Sequence, residues 1–218
     1  MQSIFSPHAT HTTEAQAIAA ERAALRRALR QRRQQLTADF QQQAAQQLVT
    51  QVLTQTDVLA AERIALYHSF GAELGTQPLI DALLAAGKKL CLPVLHPFAK
   101  GHLLMLNVEP HSEYRLNTFG IPEPPLDVRN VVRLSEIDCM LVPLVGFDLD
   151  GQRIGMGGGF YDRTLAGWAH GRYPSLHVLG LAHDCQQVER IPTQPWDVAL
   201  GGVITPTQSW RFSLPHSV

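Results

Sequence analysis

The sequence predicts an α/β fold, a sheet with its strands largely parallel, and three observations support this. Two buried apolar runs, at residues 63–67 and 89–94, flank a helix-forming run at 76–86. A strand–helix–strand unit of this kind contains a crossover, so its strands are expected to be parallel neighbours. The length of 218 residues suits one domain with a sizeable core. No internal repeat or linker divides the chain.

Composition and charge exclude several classes of protein. With 45% hydrophobic and 17% charged residues, the chain is typical of a globular protein and unlike a fibre or a disordered linker. The formal net charge is −1, so any anion site must be local, and neither nucleic acid nor membrane is expected as a partner. No signal peptide or membrane span is expected.

The three cysteines, Cys91, Cys139 and Cys185, lie far apart and form no C-x-x-C motif. This spacing argues against a disulfide framework and against a structural zinc site. We therefore expect a cytoplasmic protein.

The first third of the chain predicts two helices. Residues 14–35 are rich in Ala, Leu, Arg and Gln, with no Gly or Pro, which favours a helix. Residues 1–13 are expected to be a disordered leader, and 14–218 the single domain. Thr37 can cap a second helix. The expected core face of that helix carries Phe40, Ala44, Leu48 and Val52.

The rest of the chain alternates strand and helix signals. Thr76 is the expected N-cap of the crossover helix, and Gly87 its C-terminal stop. Residues 119–129 are Pro-rich and predict an extended surface loop. A further helix is expected at 160–169, and strands at 103–108, 139–142, 145–147, 177–182 and 202–205.

A glycine cluster lies between a predicted strand and the helix at 160–169. It consists of Gly155, Gly157, Gly158 and Gly159. Turns of this kind expose backbone N–H groups, and a helix N-terminus adds partial positive charge, so the cluster predicts an anion cradle. It matches neither the dinucleotide fingerprint nor the Walker loop. A tight turn with positive φ angles is the alternative interpretation.

Charged residues flank this loop. Arg153 and Arg163 can fork onto phosphate oxygens, and Asp162 can reach a metal ion carried by a nucleotide. The plainer alternatives are a surface ion pair for Arg163 and a helix N-terminal preference for Asp162. Phe160 and Tyr161 are equally suited to a core.

Four arginines of the first predicted helix fall near one face: Arg22, Arg26, Arg30 and Arg33. Most charge runs of this kind are solvated, and we expect this for Arg30 and Arg33. Arg22 and Arg26 contact phosphate only if the helix folds back toward the glycine loop, which spacing cannot show.

These residues resemble the 5-formyltetrahydrofolate cyclo-ligase family, also called 5,10-methenyltetrahydrofolate synthetases, in particular its enterobacterial-type members. The matching block runs from Pro143 through Gly146-Phe147-Asp148 and Gly151-x-Arg153 to Gly159-Phe160-Tyr161-Asp162. Supporting matches are Leu25-Arg26, Glu73-x-x-Thr76, Leu92-Pro93, Ile121-Pro-Glu-Pro124 and Trp196-Asp197. The likeness spans roughly residues 22–205.

The resemblance implies a three-layer α/β/α sandwich with N-terminal helices. It also implies an ATP- and Mg²⁺-dependent enzyme that cyclises 5-formyltetrahydrofolate to 5,10-methenyltetrahydrofolate and releases ADP and phosphate. ATP would phosphorylate the formyl oxygen, and N10 would then attack the activated carbon. The expected partners are the folate and ATP alone, and the expected state is a monomer.

The resemblance also assigns roles to residues. Arg153 and Tyr161 would be catalytic, and Asp162 and Asp197 would hold Mg²⁺. ATP contacts would fall on Arg22, Arg26, Arg153, Gly155, Met156, Gly157, Gly158, Gly159, Phe160 and Tyr161. Folate contacts would fall on His68, Glu73, Gly158, Phe160 and Tyr161. Many relatives carry Lys where this chain has Arg22, so the compact ammonium group of lysine is replaced by the planar guanidinium group of arginine.

The residues alone, without the resemblance, leave two other functions open. A glycine loop binds phosphate without revealing what carries it, so a sugar-phosphate or nucleotide-sugar enzyme is one alternative. A non-catalytic module that binds nucleotide or nucleic acid through the arginine-rich helix is the other. No serine elbow or Cys–His motif indicates covalent catalysis.

Overall fold

A computed structural model describes residues 7–213 of the chain, and side chains from residue 14 onward. The helices in this part are α1 (Pro7–Gln34), α2 (Ala38–Leu53), α3 (Thr56–Ala60), α4 (Gln77–Ala85) and α5 (Phe160–Ala169). The strands of the first half are β1 (Arg63–Ala65), β2 (Lys89–Leu95), β3 (Leu103–Val108), β4 (Arg115–Leu116), β5 (Pro122–Glu123) and β6 (Val131–Val132). The strands of the second half are β7 (Cys139–Pro143), β8 (Gly146–Phe147), β9 (Arg153–Ile154), β10 (His177–Leu181), β11 (Gly202–Ile204) and β12 (Ser209–Arg211). Between residues 7 and 213, no helix is long and apolar enough to cross a membrane.

Eight strands form the central sheet, in the order β12-β11-β10-β7-β1-β2-β3-β6. The five strands from β11 to β2 are parallel. Ile64 of β1 lies opposite Leu90 of β2, which confirms the parallel neighbours predicted from the strand–helix–strand pattern. Strand β12 pairs antiparallel with β11 on one side of these five strands, and β3 pairs antiparallel with β2 on the other side. The sheet is therefore mostly parallel, as predicted.

Helices cover both faces of the sheet. Along β7, Cys139 and Leu141 face one hydrophobic core, while Met140 and Val142 face the other, since successive side chains of a strand point to opposite sides. Helices α2, α3 and α4 contribute to the first core, and α5 contributes to the second. The predicted three-layer α/β/α arrangement is confirmed.

Helix α1 packs separately from these two cores. Its described residues run from Pro7 to Gln34, whereas the sequence predicts a disordered leader over residues 1–13, of which 1–6 lie outside the described part. Leu29 is fully buried in a third cluster with Val145, Ile154 and Ile191. This cluster fixes the C-terminal half of α1 against the hairpin of β8 and β9.

Two predictions about burial are wrong. Phe40, expected in the core, is 45% exposed: it lies in the first turn of α2, and the buried residues of that helix start at Ala44. Arg33, expected in solvent, is only 5% exposed, because the side of α1 that carries it faces the interior of the protein. The rest of the predicted α2 stripe, Ala44, Leu48 and Val52, is buried as expected.

Thr76 occupies the N-cap position of α4, but its side chain does not cap the helix. Its hydroxyl donates to the Tyr67 carbonyl at 2.6 Å and accepts from the Ser69 amide at 3.0 Å. The hydroxyl therefore fixes the loop that follows β1. The predicted cap of α2 is confirmed, since Thr37 Oγ1 accepts from the Phe40 amide at 3.3 Å.

The order of the strands places a crevice at one point of the sheet. From β1 the chain continues to β2 on one side, whereas β7 lies on the other side of β1 and leads on to β10. The loops that leave the carboxyl ends of β1 and β7 consequently diverge. In open α/β sheets, ligands bind in the crevice at this kind of switch point.

The packing of α1 can be tested by Leu29→Ala. Removing a fully buried side chain from the third cluster is expected to cost about 2–5 kcal/mol of unfolding free energy. Leu59→Ala is the control, because Leu59 is 55% exposed, and it should change stability by less than about 0.5 kcal/mol. Urea denaturation of both variants measures the difference. Equal effects would show that α1 is not held by this cluster.

Candidate functional site

A cavity of about 780 Å³ opens at the switch point between β1 and β7. This volume lies within the range of small-molecule sites. Its walls come from α1, the loop after β1, the glycine loop and the segment 194–197. Every residue to which the resemblance assigns a role lines this cavity: Arg22, Arg26, His68, Glu73, Arg153, Gly155, Met156, Gly157, Gly158, Gly159, Phe160, Tyr161, Asp162 and Asp197.

The glycine loop joins β9 to α5 and turns through left-handed backbone conformations. The φ angle is +104° at Gly157 and +65° at Gly159, the N-cap of α5. Side chains with a Cβ rarely adopt such angles, so glycine is required at these two positions. The tight turn with positive φ angles, which is the alternative interpretation of the cluster, is present at these two positions.

The carbonyl groups of the loop are held by arginines. Arg26 Nε donates to the Gly155 carbonyl at 2.8 Å, and Arg163 Nη2 donates to the Gly158 carbonyl. Arg163 Nε also donates to the Gly101 carbonyl at 2.9 Å. Arg163 thus fixes the loop from outside and does not line the cavity.

The amide groups of the same loop behave differently. In the part of the chain that the structure describes, the backbone N–H groups of residues 155–159 donate no hydrogen bond. They are therefore available to a ligand, next to the positive end of α5. Free amides at a helix N-terminus are suited to binding an anion.

An ion pair holds helix α1, beside this loop, against the segment 194–197. Arg22 Nη1 and Nη2 donate to the two carboxylate oxygens of Asp197, at 2.5 and 2.9 Å, and Nη1 also donates to the Pro192 carbonyl. Both side chains of the pair are buried. Among residues 7–213, these bonds use three of the five N–H groups of the guanidinium, which leaves two for a ligand. The first helix thus folds back toward the glycine loop, which is the condition for phosphate contacts by Arg22 and Arg26 that sequence spacing could not show.

A second ion pair lies beside it. Arg153 is 5% exposed, and its Nη2 donates to Asp162 Oδ1 at 2.6 Å. Its Nε atom is buried without a hydrogen-bond partner among the described residues. Burial lowers the pKa of Arg153, but an arginine stays protonated in proteins. Arg153 therefore brings a full positive charge to the cavity.

The two carboxylates differ in their fitness to bind a metal ion. Asp162 uses only Oδ1, and no hydrogen bond reaches its Oδ2 within the described range. Asp197 uses both oxygens for Arg22, and Oδ2 also accepts from the Gln194 amide. The described residues contain no cluster of three or more metal-ligating side chains. Mg²⁺ that takes its other ligands from phosphates and water needs only one or two carboxylates, so Asp162 fits it better than Asp197 does.

The cavity is also lined by a half-buried carboxylate, Glu73, and by two tyrosines, Tyr67 and Tyr161. Glu73 Oε2 accepts from the Phe70 amide at 3.0 Å, and burial raises the pKa of Glu73. Burial and the nearby Glu73 charge raise the pKa of Tyr67 and of Tyr161. Both hydroxyls therefore stay protonated and can act as hydrogen-bond donors.

His68 also lines the cavity and is uncharged. Its ring packs edge-on against Tyr114, with centroids 4.9 Å apart, and its Nε2 has no partner among the described residues. Burial lowers the pKa of His68, so the neutral ring predominates near pH 7. A neutral ring with a free nitrogen can bind either a donor or an acceptor of a ligand.

Aromatic side chains line the cavity as well. Phe160 meets Phe119 at a centroid distance of 6.4 Å, and Trp196, which is largely exposed, is a further lining residue. Phe160 is therefore part of the cavity wall. Flat, apolar walls of this kind suit an aromatic ligand. Residue patterns did not predict Phe119 or the wall position of Trp196, because both lie in irregular segments without periodicity.

Arg33 was also missed, although a signal was present. Its helical spacing from Arg22, Arg26 and Arg30 places all four on one face, and all four line the cavity. Arg30 is exposed, as predicted. The pattern identified the face correctly, but not that the inner end of this face is buried.

Comparison with known proteins gives a consistent result. The model of the 5-formyltetrahydrofolate cyclo-ligase family matches residues 18–206. The 5-formyltetrahydrofolate cyclo-ligase of Escherichia coli K12 is 51% identical over 159 residues, which cover 73% of this chain and 86% of that protein. The cyclo-ligase of Haemophilus influenzae is 50% identical over 144 residues, 66% of this chain and 75% of that protein.

Solved structures share the fold. The NMR structure of Aquifex aeolicus 5,10-methenyltetrahydrofolate synthetase matches with a TM-score of 0.76 and 25% identity, over 90% of this chain and 95% of that chain. The synthetase from Mycoplasma pneumoniae matches with a TM-score of 0.67 and 24% identity, over 85% of this chain and 98% of that one.

Proposed function

The chain belongs to the 5-formyltetrahydrofolate cyclo-ligase family, and on this basis we propose that it closes 5-formyltetrahydrofolate to 5,10-methenyltetrahydrofolate at the expense of ATP. The observation that carries the proposal is the set of free amides at residues 155–159, beside Arg26 and Arg153 in one cavity. They supply an anion site for the nucleotide phosphates. The aromatic walls and Glu73 supply a second end for the folate.

The chemistry needs positioning and charge stabilisation more than a protein nucleophile. The formyl oxygen attacks the terminal phosphorus of ATP, and ADP leaves. N10 then attacks the activated carbon and loses its proton, and the C–O bond breaks as phosphate departs. Phosphoryl transfer of this type is accelerated mainly by fixed donors and cations around the transferred group. The cavity fits this requirement.

Each end of the cavity has an assigned task. At the nucleotide end, the loop amides, Met156, the remaining N–H groups of Arg22 and the outer guanidinium nitrogens of Arg26 receive the triphosphate. Arg153 faces the charge that develops on the transferred phosphoryl group. At the other end, His68, Glu73 and Tyr161 orient the folate, and Phe160 packs against its ring.

Asp162 would hold Mg²⁺ through its free Oδ2 atom, together with phosphate oxygens and water. The ion neutralises phosphate charge when it is bound. Asp197 is tied to Arg22 through both oxygens, so we assign it first to the docking of α1.

The activity itself is tested by the growth of methenyl-product absorbance from 5-formyltetrahydrofolate. Product should form with ATP and Mg²⁺ and not without ATP, with one ADP released per product. A sugar-phosphate enzyme would leave the folate unchanged, would not hydrolyse ATP in its presence, and would bind a sugar phosphate. That result would overturn the proposal.

Arg153→Ala should lower kcat by about 10²–10³-fold, because charge that develops during transfer is left uncompensated. Steady-state kinetics should show this loss in kcat more than in KM. Arg172→Ala is the matched control, since Arg172 is an exposed arginine just after α5 and outside the cavity. A thermal melt must show that Arg153→Ala is folded. Near wild-type turnover in a folded variant would remove Arg153 from the mechanism.

Asp162→Asn should raise the Mg²⁺ concentration needed for half-maximal rate by about ten-fold or more, as expected when a carboxylate ligand is lost. Asp197→Asn is the matched comparison. It should reduce stability, because a buried arginine loses its partner, and shift the Mg²⁺ titration less. If the two titrations are reversed, Asp197 is the ligand and Asp162 is not.

A further inference from the structure

Arg163 connects the glycine loop to a hairpin on the outside of the cavity. Its Nη2 donates to the Gly158 carbonyl, and its Nε donates at 2.9 Å to the carbonyl of Gly101, in the turn between β2 and β3. The guanidinium lies against the backbone of both segments. A Cβ atom at Gly159 would lie 2.9 Å from Nη1, and one at Gly101 would lie 2.6 Å from Cζ. One exposed side chain thus bridges two turns that are distant in the sequence.

Neither an ion pair nor the docking of the hairpin explains this bridge. Within residues 14–213, Arg163 forms no ion pair, and its guanidinium donates to carbonyl oxygens. The hairpin is held to α5 by the next residue of the helix, since the Leu103 amide donates to Thr164 Oγ1 at 3.2 Å. The hairpin therefore provides a fixed anchor, and the segment that Arg163 restrains is the glycine loop.

The peptide group between Gly158 and Gly159 needs such a restraint. Glycine has no Cβ, so a peptide group between two glycines can turn over at little energetic cost. A trans peptide is planar, with its C=O and N–H groups pointing in opposite directions. Both residues line the cavity, whereas Arg163 does not, and it holds the Gly158 oxygen from outside. The N–H group of Gly159 is therefore directed inward, and it donates to no group in the described part of the chain.

We propose that Arg163 is a positioning residue: by holding the Gly158 carbonyl outside the cavity, its guanidinium keeps the N–H group of Gly159 directed toward the phosphates of the nucleotide. This inference rests on the proposed function. If the peptide turned over, the site would lose a donor and would place a carbonyl oxygen against the negative phosphates. Arg163 thus acts on the nucleotide through the loop and does not contact it.

Arg163→Ala should weaken the equilibrium binding of ATP with Mg²⁺ by about ten-fold, because one hydrogen bond to a charged group is lost. Titration calorimetry without folate measures this. The affinity for 5-formyltetrahydrofolate, measured without ATP, should change by less than about two-fold, as for an ordinary surface substitution. Arg163→Lys should lose most of the same ATP affinity, because a single ammonium group cannot replace the fork that bonds both carbonyls. Arg172→Ala, an exposed arginine outside the cavity, should bind ATP like the wild type.

Gly101→Ala tests the bridge from the side of the hairpin. Its Cβ would collide with the guanidinium, so it should reproduce the loss of ATP affinity and add nothing to Arg163→Ala. Gly171→Ala is the matched control. The φ angle is +74° at Gly171 and +80° at Gly101, so both variants carry similar backbone strain, but no described atom lies within 4 Å of a Cβ at Gly171. Gly171→Ala should leave ATP binding unchanged.

Three results would overturn the inference. Wild-type ATP affinity in Arg163→Lys would show that the charge alone is needed. Equal losses for ATP and folate in Arg163→Ala would show a general structural role, and additive losses in the double variant with Gly101→Ala would show that the two residues act separately. If Arg163→Ala does not fold in a thermal melt, Arg163→Gln takes its place. A wild-type enzyme that binds ATP but makes no methenyl product would instead contradict the proposed function.

Discussion

The cavity depends on the docking of α1 across the carboxyl ends of the sheet. Arg22 forms two hydrogen bonds with Asp197, 175 residues later in the chain, and both side chains are buried. Removing one partner of a buried pair leaves an uncompensated charge, which costs more than the pair itself contributes. The helix and the segment 194–197 are therefore held as one unit. Without this unit, the arginines of α1 would lie on a solvated helix, away from the glycine loop.

The glycine loop shows how one set of residues serves two purposes. The tight turn and the anion cradle are alternatives in the sequence, but the structure combines them. Positive φ angles at Gly157 and Gly159 turn the chain, while Arg26 and Arg163 take up the carbonyls of Gly155 and Gly158. The carbonyls are thus anchored, and the amides of the same loop donate to no group in the described part of the chain. An anion site built from backbone donors needs no rearrangement when the ligand arrives.

Local features were predictable because they depend on nearby residues. The bounds predicted for β3 and α5 agree with the structure, since each element has a clear apolar pattern or a glycine before it. The burial predictions for Arg33 and Phe40 were wrong for the same reason. Periodicity identifies a face of a helix, but it does not show which part of that face packs against the rest of the chain. The docking of α1 and the aromatic wall from Phe119 and Trp196 depend on contacts between distant, irregular segments. Rules based on the spacing of residues in the sequence do not predict such contacts.

The charge distribution of the cavity bears on what kind of anion it can receive. Although the net charge is −1, five arginines of the described residues line one cavity. Within residues 7–213, Arg22 and Arg153 are the two of them that pair with carboxylates. Arg22, Arg33 and Arg153 are buried, so salt screens them little, and a long polyanion cannot reach them. Binding to nucleic acid needs cations exposed along several phosphates. A recessed cluster of arginines beside free amides instead favours a compact anion that can enter the cavity. A nucleotide is such an anion, whereas a nucleic acid is not.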